Sequence, residues 1–355
     1  MTTCAPRRRR LRQWLAENNC DAFVVTSSAN VFYLSGFRGE GVLVIGARDG
    51  LSTDRRYEIE AASVPGRWQV YHHREGHLSG AAEHLRKLEA KRVAFEANHL
   101  VYSGFETLAG QVGGLDPVPT RQVIERLRAV KDRAEIAQMA HAAQIMDGAL
   151  ERVARKLKAG KVERDMAREL EHLALTDGAE SMAFETILAF GPSAALPHAR
   201  PGDRVLESGQ VVTIDCGAKA GGYCSDITRT YVVGKPDKTT REVYQAVYDA
   251  QQAAVKAARA GMRAAELDAI ARESLSRSGF VNEFSHGLGH GVGLEVHELP
   301  RVSPRSEDVL EPGMVITIEP GVYLEGWGGV RIEDSVVITK SGCEVLTQAS
   351  KYQLR

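Results

Sequence analysis

The sequence predicts an α+β chain of two domains, a small α/β domain over residues 1–122 and a larger one over 123–355. Three observations carry this. Short strand-like and helical runs alternate through the first part, the turn-rich stretch GGLDPVPT closes it at 113–120, and beyond residue 205 longer strands pair as hairpins. Alternation argues for α/β layering, whereas hairpins with helices kept apart from them argue for an antiparallel α+β layout. A chain of 355 residues suits about two domains.

Taken in order, a helical stripe of Leu11, Trp14 and Leu15 at 7–17 leads into DAFVVTS at 21–27. GVLVIG at 41–46 and RVAFE at 92–96 read as further strands, with a helix at 81–88 between them. Past the boundary Ile136, Met139, Ala143, Met146, Leu150, Val153 and Leu157 recur at helical spacing, and Gly160 closes that helix. Helices follow at 240–259 and 264–277. The strands pair as 210–216 with 222–233, and as 313–319 with 329–338.

A net charge of −1 gives no bulk attraction to nucleic acid or membrane. Arginines at 7, 8, 9, 10 and 12 read as a solvated helix face. No apolar run reaches the ~18 residues of a membrane span, and no signal-peptide core follows the arginines. Five scattered cysteines, an odd number, argue against a disulfide framework and for a reducing, cytoplasmic setting. Cys224 sits two residues before Asp226 and reads as small-residue packing on that strand face.

The chemistry begins with VVTIDCGAKAGGYCSDITRTYVV at 211–233. With the turn centred on Ala220-Gly221, Asp215 and Asp226 are expected directly opposite each other, ~4.5–5.5 Å apart at Cβ. Two such carboxylates repel unless a proton or a cation intervenes. Arg229 is available as a basic partner, but a metal answers the pattern better. A second hairpin repeats it, with Glu319 in VITIEPG and Glu333 in GGVRIED, and strand alternation puts Arg331 on the face of Glu333. The even separation of Glu319 and Glu333 is expected to require a bulge or a diagonal offset. In FSHGLGHGVGLEVHE, His286 and His290 lie four apart, yet glycines at 287, 289, 291 and 293 argue against a helix and for an irregular strand. Asp215, Asp226, His290, Glu319 and Glu333 make an oxygen-rich set suited to two divalent cations, Mn²⁺ first, with Co²⁺ or Zn²⁺ as alternatives.

These motifs over 130–340 resemble the pita-bread metallopeptidases, the family of methionine aminopeptidases, aminopeptidase P and prolidase. The resemblance implies a pita-bread catalytic domain behind a creatinase-like N-terminal domain, with the same five residues as metal ligands. It also implies a substrate-contacting role for His198 in ALPHA, and pocket-lining roles for His286 and His297 in support of the tetrahedral intermediate, with His198 and His286 as further oxyanion donors. Proton transfer by Glu319 and a supporting role for Arg331 follow from it too. The extra N-terminal domain points to the proline-specific branch, hence to peptides with proline at the second position. Asp54, Arg56 and Tyr57 in LSTDRRYEIEA are similar to a motif of small bacterial aminopeptidases P, in which the N-terminal domain of one subunit approaches the site of the other. A homodimer follows from the same resemblance. Chain size and that motif favour an Xaa-Pro aminopeptidase. An Xaa-Pro dipeptidase is the alternative, for which Arg301 in HELPR would clamp the proline carboxylate. A non-catalytic peptide-binding scaffold or a metal-free hydrolase fits the intact ligand set poorly.

Overall fold

The computed structural model describes residues 4–351 and divides the chain into two compact units at Arg128/Ala129. The sequence places the boundary at 122/123. The difference is the helix Val123–Ala129, most of which is tied to the first unit. Asn30 donates to Glu125 at 2.7 Å, and Arg128 donates to Asn30 at 2.8 Å.

The first unit is a six-stranded mixed sheet in the spatial order Trp68–His72, Asp49–Thr53, Gly41–Ile45, Ala22–Val25, Arg92–Glu96, Asp116–Thr120. The stretch read as a turn at 113–120 thus supplies a strand. Its prolines at 117 and 119 are tolerated because Asp116–Thr120 lies at the sheet edge, where one side of the ladder needs no N–H donors. The helix Ala5–Glu17 also departs from expectation. Arg7 and Arg8 lie on its buried face with Leu11 and Leu15, at helical spacing. Arg8 pairs with Asp49 at 3.0 Å and donates to the Leu34 carbonyl at 2.7 Å, while Arg7 donates to the Tyr33 carbonyl at 3.1 Å. Only Arg9 and Arg10 are exposed members of that cluster, with Arg12 partly buried.

In the second unit, a capping box of Asp132 and Glu135 starts the helix Arg133–Ala154, satisfying backbone donors that the first turn leaves open. The helices Arg133–Ala154 and Glu163–Thr176 cover the first hairpin, burying Met146 and Leu170 against Val212 and Ile227. Helices Lys238–Ala257 and Ala264–Arg277 cover the second, with Val247 and Leu267 in a core shared with Ile316 and Val336. Each helix-backed hairpin carries one of the acidic pairs. Among the described residues no helix is long and apolar enough to cross a membrane.

Candidate active site

The first hairpin pairs Val211–Cys216 with Ile227–Val232, and Thr228 rather than Asp226 lies opposite Asp215. The turn is Gly221-Gly222, both at positive φ (59° and 84°), as a tight two-residue hairpin turn requires. Centring it on Ala220-Gly221 slips the register by one step on each strand. That slip leaves Asp215 and Asp226 on one face as diagonal neighbours. The expectation of direct opposition is corrected, and the shared face stands. Arg229 points away, to a buried pair with Asp334 at 2.9 Å. It is not a counter-ion of this cluster.

The second hairpin runs in a single register. Ile318 pairs with Asp334 and Gly321 with Arg331, so Glu319 and Glu333 occupy opposed positions at the break between the two ladder segments. No offset is needed, because Leu324 pairs with Gly328 across a three-residue turn, and an odd turn puts residues of even separation opposite each other. At the break the backbone turns to other elements. Glu319 donates its N–H to the Leu288 carbonyl at 2.9 Å, and Glu333 donates to the Thr228 carbonyl at 3.1 Å.

His290 sits in the short strand Gly289–Gly291. A Cβ at Gly289 would collide with the Thr317 carbonyl, and one at Gly291 with the Leu299 carbonyl. The glycines therefore let this strand seat closely between its neighbours. The His290 Nδ1 faces the Gly291 carbonyl at 3.0 Å and so carries a proton. Its Nε2 points at Asp226 (3.6 Å) and Glu319 (3.3 Å).

Asp215, Asp226 and Glu333 each bring an oxygen within 4.8 Å of the others. Burial, and then the neighbouring carboxylates, push Asp226 and Glu333 well above the usual carboxylate range. Asp215 is raised by burial as well, against the pull of Arg331. Glu319 behaves oppositely. Burial would raise it, but the hydrogen bond and charge of His290, with His286 and Arg331, bring it down to about 2. His290 is likewise raised, because Glu319 outweighs the burial that disfavours imidazolium.

Arg331 organises the far side. It donates to Asp215 at 2.6 Å, to the Thr228 hydroxyl at 3.1 Å and to the Tyr323 hydroxyl at 2.8 Å. Thr228 in turn donates to Glu333 at 2.7 Å. The Tyr323 hydroxyl, accepting from Arg331, gives its own proton to His286 Nε2 at 2.9 Å, while His286 Nδ1 meets the Gly287 carbonyl at 2.8 Å. Both His286 nitrogens are thus committed within the protein, and burial holds this ring below the ordinary imidazole range. Sequence reasoning missed Thr228 and Tyr323. Strand alternation from Asp226 and from Glu319 was the available signal.

His198, Asp215, Asp226, His286, His290, His297, Glu319, Arg331 and Glu333 all line one cavity of about 450 Å³, whose apolar walls include Phe184, Ile187, Pro197 and Val296. The His297 ring lies 4.3 Å from that of His290. His297 is lowered by burial first, with His290, His198 and Arg301 adding positive charge. Arg301 is exposed and does not line the cavity, yet it pairs across the ladder with His290, which places both side chains on one face. Asp54, Arg56 and Tyr57 belong to the first unit. Arg56 donates to Asp54 at 2.6 Å and to Glu40 at 3.0 Å, and the Tyr57 ring packs edge-on against Phe37.

The donor set fits divalent metal. Asp215 Oδ1 is buried without a hydrogen-bond partner, a costly state for a carboxylate oxygen. Asp226, Glu333 and the Nε2 of His290 share the cavity with it, a donor set suited to hard or borderline cations.

Residues 137–340 match metallopeptidase family M24, and residues 7–130 match the creatinase/prolidase N-terminal domain. The chain is 39% identical over 347 residues to the Xaa-Pro dipeptidase of Pyrococcus furiosus, covering 97% of this chain and 98% of that one. Among solved structures, the Xaa-Pro dipeptidase from Bacillus anthracis is 36% identical with a TM-score of 0.95 over 99% of both chains. The X-Pro aminopeptidase from Thermotoga maritima is 36% identical with a TM-score of 0.88, over 94% of this chain and 97% of that one.

Proposed function

The chain belongs to metallopeptidase family M24, and from that premise we propose that it hydrolyses the Xaa-Pro bond, with dipeptides as its preferred substrates. The observation that carries the metal-dependent reading is the buried triad Asp215, Asp226 and Glu333 with the unsatisfied Asp215 Oδ1. With His290 and Glu319 these residues would hold two divalent ions, Mn²⁺ first. When bound, such ions polarise the scissile carbonyl and make a nucleophile available near neutral pH.

The protein groups divide the remaining work. Glu319, held ionised by His290, accepts a proton at its carboxylate and passes it to the departing proline nitrogen. His297 and His198 make no hydrogen bond to a described residue, which leaves their ring nitrogens available to the developing oxyanion. His286 does not share that role, since Tyr323 and Gly287 occupy both its nitrogens. It anchors the wall instead. Arg331 fixes Asp215, and Phe184, Ile187, Pro197 and Val296 offer an apolar surface to the proline ring.

Substrate length turns on Arg301. Its position opposite His290 favours a guanidinium on the cavity side, where it would pair with the free carboxylate of a dipeptide. Relatives bearing the dipeptidase name, at 39% identity over nearly the whole chain, support the same choice. The aminopeptidase reading keeps support from the Thermotoga maritima enzyme. The test is kcat/KM with Mn²⁺ for a matched Xaa-Pro dipeptide and Xaa-Pro-Xaa tripeptide. Preference for the dipeptide supports the proposal, and strong preference for the tripeptide replaces it with the aminopeptidase.

A further inference from the structure

The segment 284–288, which carries His286 and leads into His290, belongs to no strand ladder. Its backbone polar groups must find partners elsewhere. Three of them find one turn of the helix Ala264–Arg277. Asp268, 1% exposed, accepts the Leu288 N–H at 2.9 Å and pairs with Arg272 at 2.7 Å. Arg272 in turn donates to the Phe284 carbonyl at 3.1 Å and to the His286 carbonyl. Its guanidinium lies 4.3 Å over the Phe284 ring, and that ring stands edge-on to His286 at 4.9 Å. From Leu288 the path continues, since its carbonyl accepts the N–H of Glu319.

We propose that Asp268 and Arg272 are positioning residues of the active cavity, resting on the metallopeptidase reading above. Neither side chain lines the cavity. The pair acts as a clamp on three backbone groups of an irregular segment, fixing where the His286 ring stands and where the His290 strand begins. Through Leu288 it also fixes the backbone of Glu319. An exposed Asp–Arg pair one helical turn apart would contribute little. Here the carboxylate is buried, and the guanidinium fork spans two carbonyls that a lysine ammonium cannot hold together.

The experiment compares wild type with Arg272→Met, Arg272→Lys and a control, Arg277→Met, which removes an exposed pair with Glu273 on the same helix. Each protein is stripped of metal, melted to confirm cooperative folding, titrated with MnCl₂ by calorimetry, and assayed on an Xaa-Pro dipeptide. The clamp predicts that Arg272→Met binds Mn²⁺ about tenfold or more weakly and loses about tenfold or more in kcat, with KM nearly unchanged. Arg272→Lys recovers part of both, and Arg277→Met matches wild type. A folded Arg272→Met with wild-type Mn²⁺ affinity and kcat overturns the proposal. If Arg272→Met does not fold, wild-type values for Arg272→Lys overturn it instead. A wild type that binds no Mn²⁺ overturns the metal reading itself, and the clamp with it.

Discussion

Removing a carboxylate from the Asp215, Asp226 and Glu333 cluster should stabilise the metal-free protein while abolishing its response to metal. Asp226→Asn is the cleanest change, because it keeps shape and removes only charge. At the 4.8 Å limit of the cluster, two ionised carboxylates repel by about 3.5 kcal/mol at an effective dielectric of about 20. The site relieves part of this by holding a proton, so about 2 kcal/mol is expected to be recovered. For a unit the size of Ala129–Arg355 that is roughly 4–8 °C in Tm. The pH dependence has a definite sign. Asp226 is held above its ordinary value of 3.8, so the folded state binds the proton more tightly than the unfolded chain does. Metal-free wild type therefore loses stability as pH rises from about that value through the higher folded one. The advantage of the variant should widen from mild acid to pH 8. Calorimetry of chelator-treated protein, with and without MnCl₂, reads both effects. Mn²⁺ should raise the wild-type Tm and leave that of Asp226→Asn unmoved. A metal-free variant less stable than wild type at pH 8 would refute the reasoning.

Other consequences are equally direct. Arg229→Met breaks a pair whose side chains are each 1% exposed; because Lys351, Gln251 and Thr347 still hold Asp334, a loss of about 3 kcal/mol is expected by thermal or urea unfolding. Arg301→Ala should raise KM for an Xaa-Pro dipeptide roughly 10–100-fold, the worth of one charged hydrogen bond, and should change KM for the tripeptide far less. Steady-state kinetics on both substrates checks this. His297→Ala should lower kcat by about 10²–10³, whereas His286→Gln should mainly weaken the Tyr323 contact and lower Tm.

Much of the site was legible because β-strands alternate. Once Asp215 and Asp226 are placed on strands joined by a two-residue turn, their shared face follows from period two, wherever that turn is centred. Register was not legible to the same depth, since it depends on turn geometry. Gly221-Gly222 displaced the expected turn by one residue, and the three-residue turn after Leu324 reversed the parity argument for the glutamates. In the first unit, Pro117 and Pro119 masked an edge strand, and the arginines at 7–12 read as one solvated face although Arg7 and Arg8 lie on the buried face of Leu11 and Leu15, where Asp49 pairs with Arg8. Asp268 and Arg272 act through contacts between separate elements of the chain. No local pattern announces those.

The most direct test of the central claim is the hydrolysis of an Xaa-Pro dipeptide by protein freed of metal with a chelator and then supplied with Mn²⁺. Metal-dependent cleavage predicts negligible turnover in the stripped protein and recovery on adding Mn²⁺, with no recovery in Asp226→Asn. Full activity in the stripped protein would contradict the account.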